Sequence, residues 1–359
     1  QQTNGGKSMR AWAVVENGAD LQEIEMPTPE PTGKQVLLEV TYCGVCHSDL
    51  HIWEGFYDIG GGKRMSLKDR GVKLPLAMGH EIVGRVVKLG PDATGVKVGD
   101  VRIVFPWVGC GHCERCLAEE DNMCLEGKSL GVFQNGGYAT HVLAMEPRHL
   151  VDPGTVDPAL AATYACSGIT VYSAIKKLMP LPPDAPIVLV GAGGLGLNAI
   201  SVLKAMGHRN IISVDISEEK RANATKAGAT ATVDGTGEDV AARIMAAAGG
   251  PVRGIVDLVN GTATARFSMG ALTKGGRLVQ VGLFGGDMTL MLPVMAMREL
   301  TVGGSYVGNP KELRELVALA QAGTLQPLPY STVPMNQANE ALMRLKDGKV
   351  TGRVVLKAA

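Results

Sequence analysis

Charge of one sign is in no excess in this sequence: lysine plus arginine and aspartate plus glutamate number 35 each over 359 residues. A net charge near zero leaves no global field to draw the chain onto nucleic acid or an anionic membrane. Aromatic residues are scarce, at 4%, which also removes the stacking platform of a single-stranded nucleic-acid binder. No apolar run reaches the roughly 20 residues that a membrane-crossing helix needs, and no internal repeat or low-complexity tract is found. The opening QQTNGGKS is polar and unlike a signal peptide; it reads as a remnant ahead of a natural start at Met9. What remains is a globular composition, 45% hydrophobic and 19% charged, on a chain long enough for two domains.

Seven cysteines stand at 43, 46, 110, 113, 116, 124 and 166. Their odd number and close spacings suit metal ligation better than a disulfide framework and point to a reducing cytoplasm. Residues 187–200, IVLVGAGGLGLNAI, give an apolar strand, a glycine turn and a helix whose free N–H groups face an anion. In such a motif Gly191 permits the turn, Gly193 admits a pyrophosphate, and Gly196 lets helix and strand approach. About twenty residues on, Asp215 ends the next apolar run, IISVD. Its carboxylate would accept hydrogen bonds from an adenine ribose and repel a 2′-phosphate, which favours NAD over NADP.

Around this stretch the chain changes character. Up to about residue 150, short apolar runs at 11–15, 36–40, 82–87, 101–104 and 139–143 are punctuated by Gly, Pro and Asp, as in a barrel-like all-β module. After Pro158, strands at 187–190, 211–214, 255–258, 277–281 and 300–303 alternate with Ala-rich helical segments, which predicts a doubly wound parallel sheet. Helices at 313–322 and 336–345 and a strand at 352–356 are expected to return to the first module.

Cys110-x2-Cys113-x2-Cys116-x7-Cys124 can close a tetrahedral thiolate shell around zinc with no open position, the form of a structural site. A nucleic-acid zinc ribbon fits the spacing but not the flanks, where Glu114, Glu119, Glu120 and Asp121 are opposed by Arg115 alone. Cys46, His80 and Cys166 are far apart in sequence. Together they would leave a fourth zinc position free, as catalytic zinc requires. Singly, Cys166 reads equally as a small core residue, His80 as a core histidine, and Cys43 with Cys46 as a redox pair.

The combination GVCHSDLH, GHE, CGHCERC…C, ACSGITVYSA, GAGGLG…D and GRVVL resembles the zinc-dependent medium-chain alcohol dehydrogenases over nearly the whole chain. The resemblance implies an α/β fold, with a doubly wound parallel Rossmann sheet and a β-rich, GroES-like barrel catalytic domain. The divisions expected are catalytic 1–157, dinucleotide-binding 158–306, and a return to the catalytic domain at 307–359. It implies NAD, two zinc ions per subunit, interconversion of alcohols with aldehydes or ketones, and a homodimer or homotetramer.

By the same resemblance Cys46, His80 and Cys166 hold catalytic zinc, with Glu81 an alternate ligand or a carboxylate behind the metal. Asp49 orients His80, while Cys110, Cys113, Cys116 and Cys124 hold structural zinc. Ser48, a ribose hydroxyl and His51 pass the released proton to water. His47 and Arg353 meet the pyrophosphate at Gly191, Gly193, Gly194, Leu195 and Gly196; Asp215 and Lys220 meet the adenosine ribose. Thr170 packs on the nicotinamide, whose carboxamide is gripped near Val281–Leu283 and Ser305–Tyr306.

Two stretches depart from the family pattern. Residues 58–71 lengthen the path from Cys46 to His80 and read as an exposed, mobile loop near the cleft mouth, a lid or a subunit contact. FPWVG before Cys110 looks short. Trp53, Phe56, Tyr57 and Trp107 are candidate pocket walls, suggesting a hydrophobic or aromatic alcohol. Alternatives are a specialised hydroxyl substrate (polyol, amino-acid alcohol or CoA-linked) or a non-catalytic zinc- and nucleotide-binding redox sensor.

Overall fold

The computed structural model describes residues 7–359, so the reading of residues 1–6 as a remnant lies outside the described residues. Six strands form one parallel sheet. Its spatial order is Ala231–Asp234, Ile211–Asp215, Ile187–Val190, Val252–Asp257, Leu272–Gln280 and Thr301–Gly304. The order reverses between Ile187–Val190 and Val252–Asp257, so a crevice opens beyond the carboxyl ends of these two strands. Both are central, and all four residues of Ile187–Val190 are buried, as the continuous apolar run requires. The strand Ala231–Asp234 was not foreseen. It lies at the sheet edge with one of its four residues buried, so it carries no apolar signature.

The β-rich part holds a seven-stranded mixed sheet. Along it run Leu150–Val151, Val101–Val104, Glu81–Leu89, Val36–Gly44, Arg353–Lys357 and Tyr330–Pro334, with His141–Ala144 also paired to Val36–Gly44. A three-stranded sheet, Gln22–Pro27, Ser8–Val14 and Leu76–Ala77, adjoins it. Arg353–Lys357 is antiparallel to Val36–Gly44 and parallel to Tyr330–Pro334, so this late strand is built into the first module. Among the described residues no helix is long and apolar enough to cross a membrane.

Residues 58–71 are not a loose excursion. Phe56–Asp58 and Arg64–Ser66 pair as an antiparallel hairpin, closed by bonds from Ile59 N–H to the Lys63 carbonyl and from Lys63 N–H to Gly60. Gly60, Gly61 and Gly62 all have positive φ, a run that side-chain-bearing residues resist. The tip reaches across to the parallel-sheet side. A Cβ on Gly60 would stand 2.7 Å from the Gly286 carbonyl oxygen, and one on Gly285 would stand 2.9 Å from that of Asp58.

One apolar cluster fills the boundary between the two sheet systems. It takes Cys46, Phe105 and Trp107 from the first, Ile187, Leu189 and Ile200 from the second, and Cys166 from the connecting helix.

Candidate active site

The site is assembled where that boundary meets the crevice. Cys46 precedes the helix His47–Glu54 as its N-cap residue. His80 stands just before the strand Glu81–Leu89. Cys166 sits in a wide π turn, Tyr164–Gly168, inserted between two α-helical stretches; such turns recur at functional sites. The folding chain brings the three together. Their sulfur and imidazole nitrogen atoms lie within 4.8 Å of one another, with the two sulfurs 3.6 Å apart.

His80 is fully buried, yet neither ring nitrogen makes a hydrogen bond of good geometry, Nδ1 having only Asp49 Oδ1 at 3.4 Å. A buried imidazole left so costs about 1–3 kcal/mol, whereas two thiolates and one nitrogen at this spacing are the donor set of zinc. The residues therefore fit the metal that their chemistry implies. The Cys46 thiol is held well below its ordinary pKa by the hydrogen bond with Cys166, against burial and with His80 assisting. Burial would lower the His80 pKa, but the Asp49 carboxylate and Cys46 outweigh it and raise it to about 9.

Asp49 is the hub behind these ligands. Its Oδ2 accepts from the Cys46 N–H at 3.0 Å and the Tyr138 hydroxyl at 2.8 Å, and its Oδ1 stands 3.4 Å from His80 Nδ1. Tyr138 gave no sequence signal.

Glu81 does not join the three. Its Oε2 accepts from Arg353 Nη2 at 2.5 Å, and burial raises its pKa to about 7 even against that guanidinium. Arg353 is itself buried and also donates to the Val45 carbonyl. A Cβ on Gly194 would meet its Cδ at 3.4 Å. Arg353 thus bonds Glu81 through Nη2 while its stem passes beside the glycine turn, leaving Nε and Nη1 as further donors.

In that turn Gly191 has φ +105°, and a Cβ on Gly196 would fall 2.0 Å from the Gly191 carbonyl oxygen. Gly193, by contrast, faces open space. The helix Gly194–Ala205 starts beyond it with no side-chain cap, leaving N–H groups for an anionic ligand. Leu195 is half-buried in its first turn.

Asp215 Oδ2 accepts from Ala192 N–H at 2.8 Å and Oδ1 from Ser217 N–H at 2.9 Å. Each oxygen keeps a lone pair for a hydroxyl. Among the described residues Lys220 forms no ion pair or side-chain hydrogen bond; Arg221 donates to the Asp215 carbonyl at 2.8 Å. Arg221 was not foreseen.

Ser48 and His51 lie three residues apart on the helix that starts after Cys46, hence on one face; His47 before them is exposed. His51 stacks on Tyr57 with ring centroids 4.8 Å apart, and burial lowers its pKa below the ordinary 6.5. Thr170 is buried with its hydroxyl unpartnered. Val281 N–H is taken by the Asp257 carbonyl and Ser305 N–H by Gln280. The Tyr306 carbonyl accepts from Asn122 at 2.9 Å, and Leu283 is exposed. These bonds leave the Val281 and Ser305 carbonyls and the Leu283 N–H available to a carboxamide.

Of the candidate walls, Trp107 packs 4.9 Å from the His80 ring and meets Tyr306 edge-on at 5.9 Å. Its indole N–H donates to the Ala165 carbonyl. Trp53 does not line the cleft: it belongs to the β-rich core and donates to the Ala19 carbonyl. Cys43 is buried in that same core, whereas Cys46 lies with His80 and Cys166. No disulfide joins the seven cysteines.

The other four cysteine sulfurs also lie within 4.8 Å of one another. Cys113 is lowered to about 7, chiefly by the Cys116 N–H. Asp121 is not an exposed flank of this lobe. It is buried, taking both oxygens to Arg148 at 2.8 and 2.6 Å and a bond from His149 at 3.1 Å. The cation that answers it comes from 27 residues away, which is why local charge counting missed it.

Residues 32–153 match the family profile described as "Alcohol dehydrogenase GroES-like domain", and residues 194–322 match "Zinc-binding dehydrogenase". A curated "NAD-dependent alcohol dehydrogenase" of Sulfurisphaera tokodaii is 37% identical, spanning 97% of this chain and 99% of its own. The alcohol dehydrogenase structure from Aeropyrum pernix superposes with TM-score 0.87 at 32% identity, covering 97% of this chain and 99% of its own. A D-arabinose dehydrogenase from Sulfolobus solfataricus gives TM-score 0.82 at 26% identity, covering 98% and 99%.

Proposed function

This chain belongs to the zinc-dependent medium-chain alcohol dehydrogenase family, and from that premise we propose how its own residues carry out NAD-linked interconversion of an alcohol with an aldehyde or ketone. The observation that carries the reading is the buried His80, without a hydrogen bond of good geometry, between two sulfurs beside the crevice. Zinc held by Cys46, His80 and Cys166 supplies Lewis acidity toward the substrate oxygen, and NAD supplies the hydride acceptor.

The protein orients these groups and moves the proton. Asp49 fixes the Cys46 backbone and faces His80, which sets the direction of the imidazole. Glu81 is kept off the ligand set by Arg353. Ser48 takes the hydroxyl proton and His51, one turn along, hands it to solvent. The lowered pKa keeps His51 neutral and ready to accept near neutral pH. Trp107 excludes water from the His80 side. Asp215, with Oδ2 on the glycine turn at Ala192 and Oδ1 on Ser217, selects NAD over its 2′-phosphorylated form. Cys110, Cys113, Cys116 and Cys124 hold a structural zinc.

We assign residues 1–157 and 307–359 to the catalytic domain and 158–306 to the dinucleotide domain. A cytoplasmic homodimer or homotetramer suits the free cysteines and the edge strand Thr301–Gly304. The test is metal content with turnover. The wild type should bind two zinc ions per chain and reduce NAD with an alcohol. Cys46→Ser should keep one zinc and lose turnover. A wild-type protein with one zinc and no turnover would leave only a binding role.

A further inference from the structure

Left-handed backbone at a residue with a side chain is rare in this fold. Among the described residues it occurs at Glu119, Asn260, Glu299 and Val307. Val307 is the most strained of the four, because its β-branched side chain crowds the backbone at φ +44°. Such a conformation persists only where its surroundings over-determine it. The Val307 side chain is buried in the boundary apolar cluster. Gly308 after it lies against the helix Ile169–Lys176, where an added Cβ would stand 3.1 Å from that of Ile169. Before it, the Ser305 hydroxyl accepts from Lys177 Nζ at 3.0 Å. The Tyr306 carbonyl accepts from Asn122 Nδ2 at 2.9 Å.

Asn122 comes from the cysteine lobe, and so does a second tie. On the helix Pro310–Gln321, Arg314 Nη2 donates to both carboxylate oxygens of Glu119 at 2.9 and 3.0 Å. Glu119 is itself left-handed, at φ +57°, and its N–H donates to the Cys116 carbonyl. Between these two residues Asp121 binds Arg148 and His149, which lead into the strand Leu150–Val151. Residues 119–122, flanked by Cys116 and Cys124, therefore form a hook. Asp121 grips the β-rich part, while Glu119 and Asn122 grip residues 306–314. Tyr306 is where this grip meets the chemistry. Its ring meets Trp107 edge-on at 5.9 Å, and Trp107 packs 4.9 Å from His80. Tyr306 is thus one aromatic layer farther from the metal-ligand trio than Trp107.

We propose that Asn122, supported by Glu119, is a positioning residue for the substrate: it holds the Tyr306–Val307 peptide against the strain at Val307 and so fixes the Tyr306 ring as the outer wall of the cleft. The proposal rests on the alcohol dehydrogenase reading above. The carbonyl that Asn122 holds belongs to the peptide unit that must turn to relieve φ at Val307, so releasing one frees the other. Neither Asn122 nor Glu119 touches the substrate or takes part in the hydride or proton steps. Ethanol bound at the trio ends short of Tyr306, whereas a long alcohol runs past Trp107 and meets it.

The experiment measures KM and kcat for ethanol and 1-octanol with the zinc-loaded wild type, Asn122→Ala, Val307→Gly and the double variant. Crystal structures of the wild type and Asn122→Ala read the Val307 backbone directly. Retained zinc content establishes that the lobe is intact in each. Asn122→Ala should raise the KM for 1-octanol about 3- to 10-fold, with less than about 2-fold change for ethanol, and Val307 should leave the left-handed region. Asn122→Asp, of the same shape but without the amide donor, should behave alike and serves if the alanine variant loses its lobe. Glycine accepts positive φ without strain. In the Val307→Gly background, loss of Asn122 should therefore change the 1-octanol KM by less than about 2-fold. An unchanged φ at Val307 in Asn122→Ala would overturn the proposal. So would a KM rise equal for both alcohols, an effect on the KM for NAD alone, or full additivity in the double variant. Turnover of neither alcohol by the wild type would overturn the underlying dehydrogenase reading instead, with the crystal comparison still reading the grip on Val307.

Discussion

Asp121 shows how far a single residue can depart from its local context. In sequence it stands among Glu119, Glu120 and Asn122; in the fold it is buried between Arg148 and His149. Burial works against its charge, but the bonds from His149 and Arg148 prevail and hold its pKa at about 2, below the ordinary 3.8. A depressed carboxylate pKa contributes stability that is complete above 3.8 and is lost as pH falls through about 2. Asp121→Asn should therefore cost about 2–4 kcal/mol at neutral pH, since it leaves Arg148 and His149 without their counter-charge. The gap between wild type and variant should close as pH falls toward 2 in urea titrations. A gap constant with pH would show that the bond geometry matters and the charge does not. The trio Cys46, His80 and Cys166 was legible through the family resemblance, since each member taken singly reads equally as a core residue or a redox partner. Tyr138 was not, since a tyrosine supporting a carboxylate 89 positions away leaves no mark on its neighbours.

At the scale of the element, the glycine turn reads directly because each glycine has a distinct physical reason. Gly196 is required by the Gly191 carbonyl 2.0 Å from where a Cβ would stand, whereas Gly193 faces nothing within 4 Å. The two should separate cleanly on substitution. Gly196→Ala should lower the melting temperature and impair folding. Gly193→Ala should fold with a near-normal melting temperature but raise the KM for NAD by about 10-fold or more, because its Cβ occupies the anion's approach. Differential scanning calorimetry with NAD titrations distinguishes them, and equal destabilisation would show that Gly193 is also structural. The hairpin Phe56–Ser66 was misread for a physical reason: its glycines and mixed charges are the composition of a loop. The sequence carries no sign that Gly60 will find Gly286 across the crevice. The strands Ala231–Asp234 and Tyr330–Pro334 were missed because neither buries more than one residue.

For the whole molecule, the α/β plan was readable from the shift between two periodicities. The boundary apolar cluster was not, because its members are drawn from both halves. The two proposed metal sites differ in their place within that plan. Cys110 to Cys124 occupy a local lobe held by short-range bonds, while the trio spans the core. Chelation should strip the lobe with a fall in melting temperature and new proteolytic cutting within residues 110–124; unchanged cleavage would show that the lobe holds its shape without metal. The strand Arg353–Lys357 has a further consequence. It slots between Val36–Gly44 and Tyr330–Pro334 and brings Arg353 onto Glu81. During synthesis on the ribosome, the parallel sheet and the cysteine lobe can mature while translation is still under way. The cradle around Glu81 must wait for Arg353 to emerge, so a nascent chain arrested before it would lack the Arg353–Glu81 bond beside the trio.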